Sequence, residues 1–351
     1  MKILWFGFID PGGIAKMYAH AINKYSEHEC RVVAVQETRN FDSDIVFQRS
    51  MWGGFNMRPP EYWNNEFMSL VDDSDIIIVN MAVAPGASKP ETRFDDASFK
   101  INDITLDKFL EKKNKKVCAF FFGSTCLRRN YQWYTRICKD RGWDIITCQP
   151  DIYRHVDFFG GKVSYVPILL TSDHNRYKNS VFDFLDDDKF TNQPLYISHS
   201  PTDRSIKNTD DFIKVVEKIN SEKKYSVRPI IIENCGLYDA LAMKKGSQAA
   251  LDQLQINDSY YCLSSVENMT LGVLNFVSLD EYSLNLIKND IGELPPWEIV
   301  NSQEEFYDRL IYCCENKNYL YGQMKLSYAF ARNQWSDRNN IHKLIGVLED
   351  K

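Results

Sequence analysis

The chain opens on an unbroken apolar run, Ile3 to Ile9, followed by the turn Asp10-Pro11-Gly12-Gly13 and a helix-period stretch from Ile14 to Tyr25. A short apolar run bounded by turn residues predicts a buried strand, and the stretch after it predicts an amphipathic helix. The same alternation recurs. Cys30 to Gln36 and Asp75 to Asn80 read as strands, with a helix over Tyr62 to Val71 between them. Lys116 to Phe122 is a further strand, preceded by a helix over Leu106 to Lys113, and Asp144 to Cys148 and Lys162 to Pro167 complete the set. Continuous apolar strands alternating with helices are the signature of a parallel α/β sheet covered on both faces. Residues 1–172 are therefore expected to form a Rossmann-like domain.

Residues 173–193 are polar and charge-rich without strand periodicity, and read as a linker with surface turns. The pattern then restarts. Strands are expected over Pro194 to Ser198 and Val227 to Glu233, and helices over Asn208 to Asn220 and Leu237 to Lys245. Apolar segments around Leu251 to Leu254 and Val273 to Val277 flank a helix over Ser264 to Leu271. Helices over Gln303 to Glu315, Tyr319 to Gln334 and Arg338 to Leu348 close the chain. This makes residues 193–330 a second Rossmann-like domain, with 331–351 expected to cross back to the first. Two doubly wound halves are expected to leave a cleft where strand C-termini and helix N-termini face a ligand.

Composition narrows the class. With 351 residues, the chain is longer than one hydrophobic core usually serves. Its 42 basic and 48 acidic residues give a net charge of -6, so no chain-wide basic excess points to nucleic acid. The nine cysteines are odd in number and form no CxxC pair, which fits reduced thiols in a cytoplasmic protein. Met1-Lys2 runs straight into a short apolar segment unlike a secretory signal. No run of roughly 18 apolar residues predicts a membrane-spanning helix, while peripheral membrane contact stays open.

Four segments carry candidate chemistry. Gly12-Gly13 lies between a strand and a helix, where glycine lets backbone N–H groups approach a ligand and the helix N-terminus favours an anion. A tight turn alone also needs glycine there. His199 to Asp210 places Arg204 and Lys207 between a strand and a helix N-terminus, a disposition that suits a diphosphate or a solvated loop. Glu267 sits on a helix beside an apolar strand. Such a residue is commonly a surface or capping group, but its two oxygens can also accept from vicinal ribose hydroxyls. Phe121 to Arg129 ends a buried strand in a Gly-Ser turn, so Ser124, Arg128 and Arg129 are candidates facing an acceptor or a phosphate.

Together and in this order, these segments resemble the GT-B glycosyltransferases of the large retaining group called family 4. Gly12-Gly13 matches the glycine pair after the first strand, and Gly123-Ser124-Thr125-Cys126-Leu127-Arg128 is similar to a Gly-Ser-Asp-Leu-Arg turn. Gln149-Pro150-Asp151 and Val166-Pro167-Ile168 resemble a Thr-Pro-Asp segment and a Val-Pro-Ile strand end. His199 to Asp210 looks like His-x-Pro-x-x-Arg-x-x-Lys-Gly-Thr-Asp. Asp252-Gln253-Leu254 and Tyr261 to Leu274 are similar to Asp-Gln-Leu and Tyr-Gly-x-x-x-x-Glu-Ala-Met-Ala-Leu-Gly. The likeness covers nearly the whole chain and is strongest from Leu195 to Phe276.

The resemblance implies that Arg204 and Lys207 hold the donor diphosphate and act in catalysis. It also implies that Glu267 binds the ribose and Gly12 and Gly13 approach the donor, with anion contacts from the backbone at Met269 and Thr270. The activity implied is transfer of a hexosyl or pentosyl group from a UDP- or GDP-type sugar, with retention, without a metal and with no other cofactor. Acceptors in view are a glycan, a lipid-linked sugar or a small molecule. Transfer to nucleic-acid bases is an alternative that Lys112-Lys113 and Lys115-Lys116 permit, and a non-catalytic or epimerase-type sugar-nucleotide protein is another. The departures are Ser259 where many members carry Glu, Asn208 for Gly, Thr125 for Asp, Asn268 and Thr270 for alanines, and Leu274-Asn275 for Lys-Pro.

Overall fold

The computed structural model describes residues 1–7, 13–37, 45–49, 61–80, 100–101, 104–105, 110–123, 131–170, 177, 179–183, 194–254 and 260–350. They divide into two compact units, Met1–Leu169 with Asn340–Lys351, and Leu170–Asn339.

The first unit contains β1 (Lys2–Gly7), α1 (Ile14–Tyr25), β2 (Glu29–Glu37), β3 (Ile45–Arg49), α2 (Glu61–Asp73) and β4 (Ile76–Asn80). The short strands β5 (Lys100–Ile101) and β6 (Ile104–Thr105) pair antiparallel apart from the main sheet. Then come β7 (Lys116–Phe121), α3 (Tyr131–Asp140), β8 (Asp144–Thr147), α4 (Pro150–Phe158) and β9 (Val163–Tyr165). The main sheet runs β3-β2-β1-β4-β7-β8-β9, with every pairing parallel. Strand order reverses between β1 and β4, the doubly wound Rossmann arrangement. Aromatic packing fills the space beneath it: Trp5 stacks on Tyr18 at 5.3 Å and meets Phe120 edge-on at 5.0 Å. Burial of Phe120 alone contributes about 3 kcal/mol at the upper end for such a side chain.

The second unit contains β10 (Leu195–His199), α5 (Thr209–Ser221), β11 (Val227–Ile231), α6 (Leu237–Lys245), β12 (Ala249–Leu251), α7 (Leu263–Leu271) and β13 (Leu274–Val277). It continues through α8 (Glu281–Ile291), β14 (Glu298–Ile299), α9 (Gln303–Glu315) and α10 (Lys317–Asn333), and the last helix, α11 (Asp337–Glu349), begins in it. Its sheet runs β11-β10-β12-β13-β14, again all parallel. Numbered within the unit, this is order 2-1-3-4-5, with the reversal between β10 and β12. Phe212, Phe276 and Phe306 pack in one cluster under these strands.

One expectation needs correction. The stretch 173–193 is not merely a linker with surface turns, because Tyr177 and Val181 are buried and Phe182 packs edge-on against Tyr321 and Tyr328. Three apolar anchors without periodicity hold it to the second unit. Gly272 shows how closely: it has φ 82°, and a Cβ added there would meet a Phe182 ring carbon at 2.7 Å. Of the helix expected over 106–113, residues 106–109 lie outside the described residues.

Candidate functional site

In a doubly wound sheet, ligands bind beyond the carboxyl ends of the strands where strand order reverses. In the second unit that place is the end of β10 and β12, and two buried polar runs leave it. His199 ends β10. Burial pushes its imidazole down to about 4, although a hydrogen bond to the Leu251 backbone acts the other way. A neutral ring has one donor and one acceptor. Its Nδ1–H therefore donates to the Leu251 carbonyl at 2.9 Å, and Nε2 accepts from Thr209 Oγ1 at 3.0 Å. The ring thus ties the ends of β10 and β12 to the start of α5.

Between β10 and α5 the chain places Arg204 and Lys207 very differently. Arg204 is exposed and grips Glu233 with two bonds, Nε to Oε1 at 2.8 Å and Nη2 to Oε2 at 2.7 Å. That hydrogen bond and its charge hold Glu233 below the usual carboxylate range. Lys207 is buried. Its Nζ donates to Asp252 Oδ1, Gln253 Oε1 and Cys262 Sγ, each at 2.8 Å, which engages all three of its protons. Burial opposes the charge, but Asp252, then Cys262 and Tyr260, outweigh it and hold the ammonium above its ordinary value. For Asp252 burial likewise opposes ionisation, and Lys207 reverses the balance and lowers it.

Asp252 then organises the next helix. Its Oδ2 accepts from the Cys262 N–H at 2.8 Å, an N-cap donor with no partner within the helix, and from the Ser265 hydroxyl in the first turn of α7. Gln253 Nε2 donates to the Tyr260 carbonyl at 2.6 Å and braces the same approach. The α5 N-cap is Asn208 at φ 54° and ψ 41°, left-handed backbone that asparagine tolerates better than other side chains.

Glu267 lies one turn into α7 and is buried. Its Oε2 accepts from Lys244 Nζ, and its Oε1 accepts from the Tyr177 hydroxyl at 3.3 Å. Lys244 also donates to Ser264 Oγ at 3.0 Å. Met269 and Thr270 fall in the last turn of α7, both buried. The Met269 carbonyl accepts from Gly272, and the Thr270 carbonyl accepts from Arg332 Nη1 at 2.9 Å. The anion-favouring end of α7 is its first turn, Leu263 to Val266, because only the first four N–H groups lack helical partners. The backbone N–H groups of Met269 and Thr270 lie beyond that first turn.

In the first unit Gly13 caps α1 in left-handed backbone at φ 71°, as a glycine after β1 permits. Gly123 follows β7 at φ 48°, its N–H donating to Gln149 Oε1 at 2.8 Å. Gly12, Ser124, Arg128, Arg129 and Ser259 lie outside the described residues. The lysine run has its own work in this unit. Lys113 pairs with Asp72 at 2.6 Å, and Lys115 donates to the Asp72 and Ser74 carbonyls at 2.9 and 2.7 Å. Lys116 caps carbonyls at the end of α11, among them Leu348 at 2.8 Å. Sequence reasoning passed over Glu233, Lys244 and Tyr177. Lys244 reads as an ordinary basic residue in a last helical turn, and Tyr177 stands in a polar stretch.

No protein-family model matches the chain, and no curated protein does. Solved structures do match in fold. A glycosyltransferase from Rickettsia africae aligns with a TM-score of 0.59 at 11% identity, over 100% of this chain and 99% of that one. Anabaena HepE in complex with UDP gives 0.63 at 11% identity, over 99% of each. An alpha-glucosyltransferase in complex with UDP and a DNA containing an HMU base gives 0.67 at 12% identity, over 100% of this chain and 99% of that one. The chain thus has an α/β fold of two Rossmann-like units, the architecture of the GT-B glycosyltransferases.

Proposed function

We propose that this chain is a glycosyltransferase that takes its sugar from a nucleotide-diphosphate-sugar. One observation carries the reading: charged side chains are gathered at the point of strand reversal between β10 and β12, where such a fold receives its ligand. Arg204 faces the donor diphosphate, and Glu267 accepts from the ribose hydroxyls. Lys207 would exchange one of its present partners for the diphosphate, and the first turn of α7 adds backbone N–H groups. Gly13 caps α1 in the first unit, where glycine lets backbone N–H groups approach an anion. As the sugar leaves, negative charge grows on the nucleoside diphosphate, and cations already in place stabilise that charge more than they stabilise the bound donor. Retention of configuration, without a metal, follows from the resemblance to family 4. HepE, with UDP bound, is similar in fold and supports a UDP-type donor.

Transfer to a base of DNA is a second reading, favoured by the fold likeness to the DNA-bound alpha-glucosyltransferase. Against it, three of the four lysines that would serve a phosphate backbone hold intrachain partners.

The test is thermal stabilisation by UDP, GDP and their sugar conjugates, on the wild type and on Glu267→Gln. A rise in Tm with one nucleotide, reduced in the variant, is the expected result. No rise with any nucleotide from folded protein would overturn the reading. Donor turnover with and without duplex DNA carrying an HMU base then separates the two acceptor classes.

A further inference from the structure

Glu267 is buried, yet its partners leave part of it unused. A carboxylate offers about four lone-pair positions, two on each oxygen. Lys244 takes one on Oε2 and the Tyr177 hydroxyl takes one on Oε1, which leaves one on each oxygen for a pair of adjacent donors. The two partners come from different elements and take one oxygen each. Lys244 stands in the last turn of α6, and its Nζ also reaches Ser264 at the start of α7. Tyr177 comes from the segment before β10. Both side chains are buried, with 3% of Lys244 and 7% of Glu267 exposed.

A buried ion pair is poor value as a stabiliser, since well-packed apolar residues of similar volume often do as well or better. A pair that fixes the orientation of one carboxylate is explained by what that carboxylate must meet. We propose that Lys244 and Tyr177 are positioning residues. They hold Glu267 by one oxygen each so that its free lone pairs meet the vicinal hydroxyls of a nucleotide ribose, without touching the ligand themselves. The proposal rests on the nucleotide-sugar reading and names what makes its ribose contact selective.

Binding of UDP and GDP, each beside its 2′-deoxy form, is measured by calorimetry on the wild type, Lys244→Met, Lys244→Arg and Tyr177→Phe. The wild type should favour the ribose form of its nucleotide by tenfold or more. Lys244→Met should bring that preference close to one by weakening the ribose form alone, and Lys244→Arg should restore part of it. Tyr177→Phe, which removes only a hydroxyl and keeps the ring in the core, should reduce the preference several-fold. The double variant Lys244→Met with Glu267→Gln leaves no unpaired buried charge and serves as the folded reference. A purely structural pair would lower Tm without changing the ratio of the two affinities. Nucleotide binding with an undiminished ribose preference in Lys244→Met and Tyr177→Phe overturns the positioning role alone. So does a wild type that binds both forms equally. A wild type that binds no nucleoside diphosphate overturns the nucleotide-sugar reading and this proposal with it.

Discussion

Both units carry exposed ion pairs, but among the described residues the pairs with both partners buried lie in the second. Around the first sheet, Lys2–Asp73, Lys113–Asp72 and Arg136–Asp140 keep a quarter or more of every side chain in water. In the second unit, Lys207–Asp252 and Lys244–Glu267 leave no side chain more than 7% exposed. Surface pairs contribute little because water and salt screen them. Buried pairs have lost their hydration, so each partner depends on the other. Charge has been sunk where the second sheet reverses its order, while the described edge of the first sheet is held by neutral contacts such as Gln149 to Gly123. On the proposed function, a second unit shaped around a charged ligand accounts for the contrast.

Removing one buried partner should break this contrast most sharply. Asp252→Ala leaves the Lys207 ammonium buried and unpaired, and strands the N–H of Cys262 as well. The expected loss is about 3–5 kcal/mol, read as a fall in Tm. Asp252→Leu combined with Lys207→Met should recover most of it, because both charges then go together. Lys113→Met in the first unit should cost less than about 1 kcal/mol. Equal losses from Asp252→Ala and Lys113→Met would remove the distinction between the units.

Arg204, exposed at this edge, is a cation that can turn to a ligand without disturbing the core. Arg204→Ala should leave Tm unchanged, yet lower kcat roughly 10²–10³-fold, as loss of a group aimed at developing charge does. KM for the donor should change far less. A kcat within about twofold of wild type would deny Arg204 that role.

A smaller effect depends on pH. An ordinary histidine titrates near 6.5, whereas His199 is pushed down to about 4 by burial. Between those values the unfolded chain binds a proton that the folded chain refuses, so stability is complete above pH 6.5 and declines as pH falls toward 4. The upper bound is about 3 kcal/mol at 1.36 kcal/mol per pH unit. His199→Gln keeps a donor for Leu251 and an acceptor for Thr209, and should flatten the slope of Tm across that interval. An unchanged slope would place the titration elsewhere.

The architecture was largely legible because its signals are local. Leu237–Lys245 is bracketed by Gly236 and Gly246, and Gln303–Glu315 follows the capping residue Ser302, so pattern and boundary agree. Glu281–Ile291 carried an equally plain signal in Asp280 and Gly292 and was still overlooked. Tyr131–Asp140 hid behind its tyrosines and threonine, and in Pro150–Phe158 the signal of Pro150 as the first residue of a helix went unused. The site was legible only in part. Arg204, Lys207 and Glu267 stand in recognisable segments, but their partners do not. Asp252 lies 45 residues from Lys207 and Lys244 lies 23 from Glu267, and a single sequence carries no trace of such couplings.

Asn208 tests the same point on the smallest scale. The family pattern has glycine there, and asparagine looks like a loss. The structure shows why it is tolerated: the residue sits at φ 54° and ψ 41°, and asparagine is the side chain that enters this region most readily. Asn208→Gly should therefore shift stability by only a few tenths of a kcal/mol, while Asn208→Ala, forced into the same backbone, should cost about 1–2 kcal/mol. Both are read as changes in Tm. The departure then concerns which side chain stands at the turn and leaves its geometry intact, so α5 begins where Arg204 and Lys207 need it to begin. An Asn208→Ala variant as stable as wild type would mean that the turn relaxes freely, and that the placement of the two cations does not depend on it.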